Sequence, residues 1–251
     1  CAACLALLAA RPAATDAATR EFRFVRAGNE LGLAQGTVTA LAQDTDGFVW
    51  VGTQGGLSRY DGQRFVSFRE QAGDSGSLQD NFVTALATDA TKGLWVGTRS
   101  EYVARLDLGN GQLHRYPRGG TDLPRVEALL PLAGTTWIGT SAGLDRLAPA
   151  SGRVTRVFTL PPQVGDSGLQ GLVRDRRGNV WYSTGAGLFR IDAAGQALRI
   201  GAEQRLLALR IDRAGRMWAG GDRGLFLVRN GNDLQRVWPR AARVAVAPRT
   251  P

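Results

Sequence analysis

The chain has 251 residues, 43% of them apolar, with 33 glycines and a formal charge of +9. That is enough for a sizeable core in one repeat domain or one large β domain, and the glycines carry no collagen period. Lys92 is the only lysine. The arginines are spread over the whole chain without a basic run or an aromatic-interleaved patch, so they read as solvated strand faces and nucleic acid is excluded as a partner.

Both cysteines, Cys1 and Cys4, lie in the first four residues. They leave no disulfide framework and no cysteine-based metal site, which is compatible with an oxidising compartment. Residues 1–10 are apolar, about as long as the core of a signal peptide and too short to span a bilayer. Small residues follow, with a cleavage point expected near Ala17. No methionine precedes the apolar run, Met217 being the only one. Residues 1–20 therefore read as a signal-peptide remnant and linker, and the chain as exported to the periplasm. Lipidation at Cys4 fits less well, because the apolar run continues after it. No membrane span is expected.

Residues 21–251 read as a partial β-propeller. Glu21 to Val25 alternates polar and apolar residues and predicts a strand, followed by a loop over residues 27–37. Then a unit repeats five times. Its clearest copy runs from Asp44-Thr-Asp-Gly47-Phe-Val-Trp50-Val-Gly52-Thr53 through Gly56-Leu57-Ser-Arg59-Tyr-Asp61. Each copy predicts four strands. The first is Val38 to Ala42, echoed at Val83, Val126, Leu169 and Leu206. A turn follows, led by Asp44, Asp89, Asp175 and Asp212, with Pro131 in that place in the third copy, and glycine at the positive-φ position (Gly47, Gly178, Gly215). The second strand carries Trp50, Trp95, Trp137, Trp181 or Trp218, spaced 45, 42, 44 and 37 residues apart, the length of one four-stranded blade. The third strand starts at Gly56, Gly143, Gly187 or Gly224. The fourth ends near an aromatic (Phe68, Tyr116, Phe158, Trp238), which Ala197 to Ile200 lacks.

A single such sheet cannot bury both faces, whereas radially stacked sheets can. The five tryptophans are placed between blades, where each indole N–H needs an acceptor. Glu21 to Val25 reads as an orphan fourth strand and Arg243 to Ala247 as an orphan first strand. The expectation is five complete blades and two orphan strands of an incomplete ring, with exposed sheet faces.

Catalytic strings fail their context tests. Gly139-Thr-Ser141-Ala-Gly143 has the G-x-S-x-G form but sits in a strand-turn-strand, not a strand-helix elbow. Gly73-Asp-Ser75-Gly76 and Gly165-Asp-Ser167-Gly168 resemble protease nucleophile loops, but His114, the only histidine, lies on an outer strand. One histidine builds no His-based metal site. Asp44/Asp46 and Asp74/Asp80 lack the closing Glu of a calcium loop, and no glycine-rich loop opens onto a helix. No catalytic residue, metal or cofactor is therefore assigned.

Binding is expected on the loops joining strands two and three and blade to blade, which gather on one face around the channel. The repeat breaks there at Arg99-Ser-Glu101-Tyr102, in place of a glycine turn, and at Asp222-Arg223. The candidate ligand contacts are Arg99, Glu101, Tyr102, Asp222 and Arg223.

Val38-Thr-Ala-Leu-Ala-Gln-Asp44, Gly47-Phe-Val-Trp50-Val-Gly-Thr53 and Gly56-Leu-Ser-Arg-Tyr-Asp61 together resemble the two-component regulator propeller repeat, as do residues 175–192. The resemblance covers residues 21 to about 247. It implies part of a seven-bladed periplasmic sensor propeller of a hybrid histidine kinase or diguanylate cyclase receptor, some relatives of which sense carbohydrate fragments. The kinase or cyclase would lie in a missing C-terminal part. Implied partners are a small molecule or carbohydrate, the rest of the receptor or a second propeller, and a dimeric full-length receptor. One alternative is an enzyme resembling streptogramin lyase propellers, which share the Asp-x-x-Gly-x-x-Trp rhythm and use channel histidines. Another is a purely protein-binding propeller.

Overall fold

The computed structural model describes residues 26–100, 102–119, 124–160, 169–192, 195–202, 204–231 and 233–238. These form twenty strands in five four-stranded antiparallel sheets, with one 3-10 turn at Asn29–Leu31. Blade one is β1 (Val38–Gln43), β2 (Val49–Thr53), β3 (Gly56–Tyr60) and β4 (Phe65–Phe68). Blade two is β5 (Val83–Thr88), β6 (Gly93–Thr98), β7 (Tyr102–Asp107) and β8 (Leu113–Pro117). Blade three is β9 (Val126–Leu132), β10 (Thr135–Thr140), β11 (Gly143–Ala148) and β12 (Arg153–Thr159). Blade four is β13 (Leu169–Arg174), β14 (Val180–Thr184), β15 (Gly187–Ile191) and β16 (Ala197–Ile200). Blade five is β17 (Leu206–Ile211), β18 (Met217–Gly221), β19 (Gly224–Arg229) and β20 (Asp233–Trp238). The five expected blades are the five sheets found. The leader at 1–20 and the orphan strands at 21–25 and 243–247 lie outside the described residues.

The first strands β1, β5, β9, β13 and β17 lie side by side in that order, so the blades stack radially with strand one innermost. Every blade junction is apolar. Trp50 and Leu57 of blade one pack with Val83, Leu94 and Val96 of blade two. Trp95 and Val103 pack with Val126, Leu129 and Ile138 of blade three. Leu144 packs with Tyr182, Phe189 and Ile191 of blade four. Trp181 and Leu188 pack with Leu206, Leu209 and Phe226 of blade five. Trp50, Trp95 and Trp181 are at most 2% exposed, whereas Trp137 and Trp218 are half-buried. The outer-strand aromatics close the wedge: Phe68 lies 5.6 Å from Trp50, and Tyr116 stacks 5.5 Å from Trp95.

The turn aspartate supplies the acceptor that each indole needs. Trp50 Nε1 donates to Asp44 at 2.7 Å, Trp95 to Asp89 at 3.0 Å, Trp181 to Asp175 at 2.8 Å and Trp218 to Asp212 at 2.9 Å. The other carboxylate oxygen accepts backbone N–H groups of the same turn, as from Asp46 and Phe48 to Asp44. One side chain thus ties the hairpin to the inter-blade core. The positive φ is taken by Gly47, Gly178 and Gly215 as expected, and in blade two by Lys92 at φ 58°.

Blade three corrects the sequence alignment. Trp50 pairs with Ala42, two residues before Asp44, but Trp137 pairs with Leu130, so Leu132 rather than Pro131 stands in the aspartate's place. Pro131 instead pairs with Thr136 inside the ladder. The three-residue turn has shrunk to Ala133-Gly134, and Trp137 has no carboxylate beside it of the kind the other four tryptophans have.

In blades one and two the glycine two residues after the tryptophan admits the next blade, whereas blade four carries Ser183 in that place. A Cβ on Gly52 would sit 2.6 Å from Val83 Cγ1, and one on Gly97 2.5 Å from Val126 Cγ1. Only a bare backbone lets the inner strand of the following blade come this close.

Candidate functional site

The meander gives each blade two ends. One end carries the turns between strands two and three and the connections from blade to blade. The other carries the turns between strands one and two and between three and four. At the first end every innermost strand has a bulge, as between Val38 and Ala40, Val83 and Ala85, and Leu206 and Ala208. Bulges re-aim side chains and recur beside binding sites.

In blades one and three the β2–β3 type of turn is held by a buried threonine. Thr53 Oγ1 donates to Gly56 O at 2.8 Å, and Thr140 Oγ1 to Gly143 O at 2.9 Å. Blade two departs from this. Thr98 Oγ1 bonds Ser100 Oγ at 2.8 Å, and the Tyr102 N–H reaches Ser100 Oγ at 3.4 Å. Arg99 is turned over the Phe82 ring, 5.1 Å from its centroid. Tyr102 is half-buried and opens β7 opposite Pro117.

Under this loop lies a residue that the sequence did not single out. Arg118 directly follows β8 and is 7% exposed. Its Nη2 donates to Ser100 O at 3.1 Å, while Nε and Nη1 are buried without a hydrogen-bond partner. Burial pushes its pKa down; nearby Asp145 pulls it up and Arg156 down. Asp145 is itself buried and ion-paired with Arg156. An unmade hydrogen bond at a buried donor costs about 1–3 kcal/mol. Two on one guanidinium make this the least satisfied cation described at this end. In the same blade connection Arg125 Nε donates to Glu127 Oε1 at 3.0 Å, and the Glu127 side chain is 7% exposed. The only sequence signal for Arg118 is a charged residue two places after the outer-strand aromatic Tyr116, where no repeat pattern marks it.

The structure therefore brings Tyr102 and Arg118 together at Ser100, whereas Arg99 turns to Phe82 in the connection from blade one. Glu101 lies outside the described residues. Asp222 and Arg223 are exposed in the β18–β19 turn of blade five, at the same end, where Asp222 sits 3.8 Å from Arg205. No hydrogen bond or ion pair joins them to the blade-two cluster. His114 is exposed on β8, the outermost strand of its blade. Among the described residues no group of three or more His, Cys, Asp or Glu is placed to hold a metal, and no helix is long and apolar enough to cross a membrane.

No curated protein matches the chain. Among solved structures it is similar to the extracellular domain of a putative one component system from B. thetaiotaomicron. The identity is 20% and the TM-score 0.66, over 77% of this chain and 27% of that one. A putative hybrid two component system of the same organism gives 20% identity and a TM-score of 0.56, over 85% and 36%. Virginiamycin B lyase from Staphylococcus aureus gives 16% and 0.63, over 81% and 71%. The chain thus spans about a quarter to a third of the two extracellular domains, and at these identities the likeness carries the propeller fold. Residues 32–55 and 77–100 match the family described as two component regulator propeller. These segments span the first two strands of blades one and two, and three further blades have the same four-stranded build.

Proposed function

We propose that this chain is an extracytoplasmic ligand-sensing or interaction module of a bacterial signal-transduction receptor, and that it is not itself a catalyst. The family repeats support the reading, and so do the extracellular receptor domains among the similar structures. The observation that carries the site is Arg118, a buried guanidinium with two unpartnered N–H groups beneath the one turn where blade two abandons its glycine. A hydroxylated or carboxylated small molecule, carbohydrate included, offers the acceptors this cation lacks. Arg99, Glu101, Tyr102, Asp222 and Arg223 are the further contacts proposed from the sequence, with Tyr102 joined to Arg118 through Ser100. The ligand would act by shifting a pre-existing equilibrium between arrangements of the receptor, whose remaining parts or second propeller are the partners.

The test is a thermal-shift screen of carbohydrate fragments and organic acids, followed by signalling assays of the receptor with Arg118→Gln and Arg99→Gln. Each variant is expected to weaken ligand response at least tenfold, about 1.4 kcal/mol, with the fold intact. Unchanged response in both would sink the proposed site. The lyase reading is disfavoured by position. A second structure of virginiamycin B lyase is a histidine-to-alanine variant described as catalytically inactive, with quinupristin. The only histidine here is exposed on an outermost strand. Incubation with quinupristin should leave it intact; its turnover would revive the enzyme reading.

A further inference from the structure

At the opposite end of the blades, where strand one turns into two and three into four, the junction of blades four and five opens into a cavity of about 430 Å³. Six arginines line it: Arg174, Arg176, Arg177, Arg190, Arg216 and Arg229. Three of them fall in Arg174-Asp175-Arg176-Arg177, and the other three lie up to 55 residues from Arg174. The one carboxylate in the lining, Asp175, is fully engaged. It accepts from the Arg177 and Asn179 backbones at 2.9 Å and from the Asn179 amide and Trp181 indole at 2.8 Å.

The arginines divide by what they touch. Arg216 is paired with Asp212 at 2.7 Å, Arg229 donates to Gln235 at 2.8 Å, and Arg190 donates to Gly231 O at 3.2 Å. The side chains of Arg174, Arg176 and Arg177 make neither an ion pair nor a hydrogen bond among the described residues, and all three residues are exposed. Arg176 crosses the junction, its guanidinium lying against the Gly215 backbone of blade five, where even a Cβ would come within 2.7 Å of it. A cationic floor is not inherent to the repeat. The cavity between blades one and two, about 400 Å³, is lined by Asp44, Asp46, Asp74 and Asp107 against Arg59 and Arg69.

We propose that the cavity between blades four and five binds a small organic polyanion carrying two or more phosphate- or sulfate-type groups. Arginine forks match tetrahedral oxyanions with paired N–H donors, and three unpaired guanidinia supply more donors than one oxyanion uses. The volume lies within the range of small-molecule sites and exceeds what a lone inorganic ion fills. Trp181, Leu227 and Met217 add an apolar wall for the organic frame. This site lies at the other end of the blades from Arg118 and stands independently of the sensing role proposed there.

The experiment is calorimetric titration of the whole chain at physiological ionic strength. The probes are fructose 1,6-bisphosphate, fructose and a glucose bis-sulfate ester. Three proteins are compared: the unaltered chain, Arg176→Gln/Arg177→Gln, and a charge-matched control, Arg64→Gln/Arg153→Gln. The bisphosphate should bind and fructose should not. The cavity pair should weaken binding at least tenfold, and the control less than twofold. Comparable binding of the sulfate ester would assign a sulfated source and its failure a phosphorylated one, both within the proposal. Equal weakening by the two double variants would reduce the effect to diffuse charge on a basic protein. That result, or no binding up to millimolar concentration, overturns the site.

Discussion

At the scale of single residues, one carboxylate does two jobs in four of the five blades, and blade three shows that the fold survives without it. Asp44 is 9% exposed and accepts the Trp50 indole and two turn amides. Asp44→Ala leaves the buried indole N–H and two part-buried turn amides without their acceptor, and an expected loss of about 2–3 kcal/mol should appear as a lower urea midpoint with unchanged slope. A loss below about 0.5 kcal/mol would mean that the indole finds water instead. The same bonds set the acid limit of the fold. Burial alone would raise the Asp89 carboxyl, but hydrogen bonds from Arg105, Thr91 and the Gly93 backbone outweigh it and hold the group well below the usual range. The Trp218 indole above all, with help from Arg216, holds Asp212 at about 2. A depressed folded-state pKa contributes stability that is present above the unfolded value near 4 and lost as pH falls through the folded value. Stability should therefore be flat above about pH 4 and fall towards pH 2. Asp212→Asn should flatten part of that limb; an identical acid limb in the variant refutes the assignment. The sequence marked these aspartates as turn formers because position in a turn is a local signal. Their second bond, six residues away to an indole, is a tertiary fact that appears only when the hairpin closes. Arg118 was invisible for the complementary reason: its meaning lies in what it fails to touch.

At the scale of the element, strands and turns were legible because each blade repeats the same alternation, and a pattern seen five times averages out local exceptions. Register was legible only where turn length is constant. Blade three lost one turn residue, so counting back from Trp137 found Pro131, whereas the ladder puts Leu132 there. In blades one and two the glycine two residues after the tryptophan reads in the sequence only as part of the repeat. It is the contact point between elements, since Gly97 leaves room for Val126 of the next blade. Gly97→Ala should cost about 1–3 kcal/mol through overpacking, and adding Val126→Ala should recover part of it. The check is a double-mutant cycle in urea, with a favourable coupling energy expected. Strict additivity would mean that the blades part without strain. The binding loops resisted the same reading because they are where the repeat is broken. A break says that a position differs, and only the structure says that Tyr102 and Arg118 meet at Ser100 while Arg99 lies over Phe82 and Asp222 stays with Arg205. Of the six arginines of the cavity between blades four and five, three are neighbours in sequence at positions 174–177, and the stacking of two blades brings Arg190, Arg216 and Arg229 to them.

At the scale of the whole molecule, each blade touches only its neighbours, so a residue's worth depends on its place in the stack more than on its place in the repeat. The first strands carry an equivalent leucine at Leu41, Leu86, Leu129, Leu172 and Leu209, which meets the face of the preceding blade. Leu129 packs with Trp95 and is 8% exposed, and Leu209 packs with Trp181 and is 0% exposed. Leu41, in the first described blade, is 65% exposed, and Val38 beside it is 46% exposed where Val83 and Val126 are fully buried. At the other end of the described stack Trp218 is half-buried and Leu225 and Trp238 remain open. The hydrophobic contribution should follow this gradient rather than the sequence identity of the repeats. Leu209→Ala should cost about 2–5 kcal/mol because it opens a cavity beside Trp181, whereas Leu41→Ala should stay within about 0.5 kcal/mol. Urea midpoints of the two variants, measured at two protein concentrations with sedimentation alongside, decide the matter. Equal losses would show that Leu41 is covered in solution. A concentration dependence confined to Leu41→Ala would then identify a second copy as its cover, since a face contributed by the same chain gives stability independent of concentration.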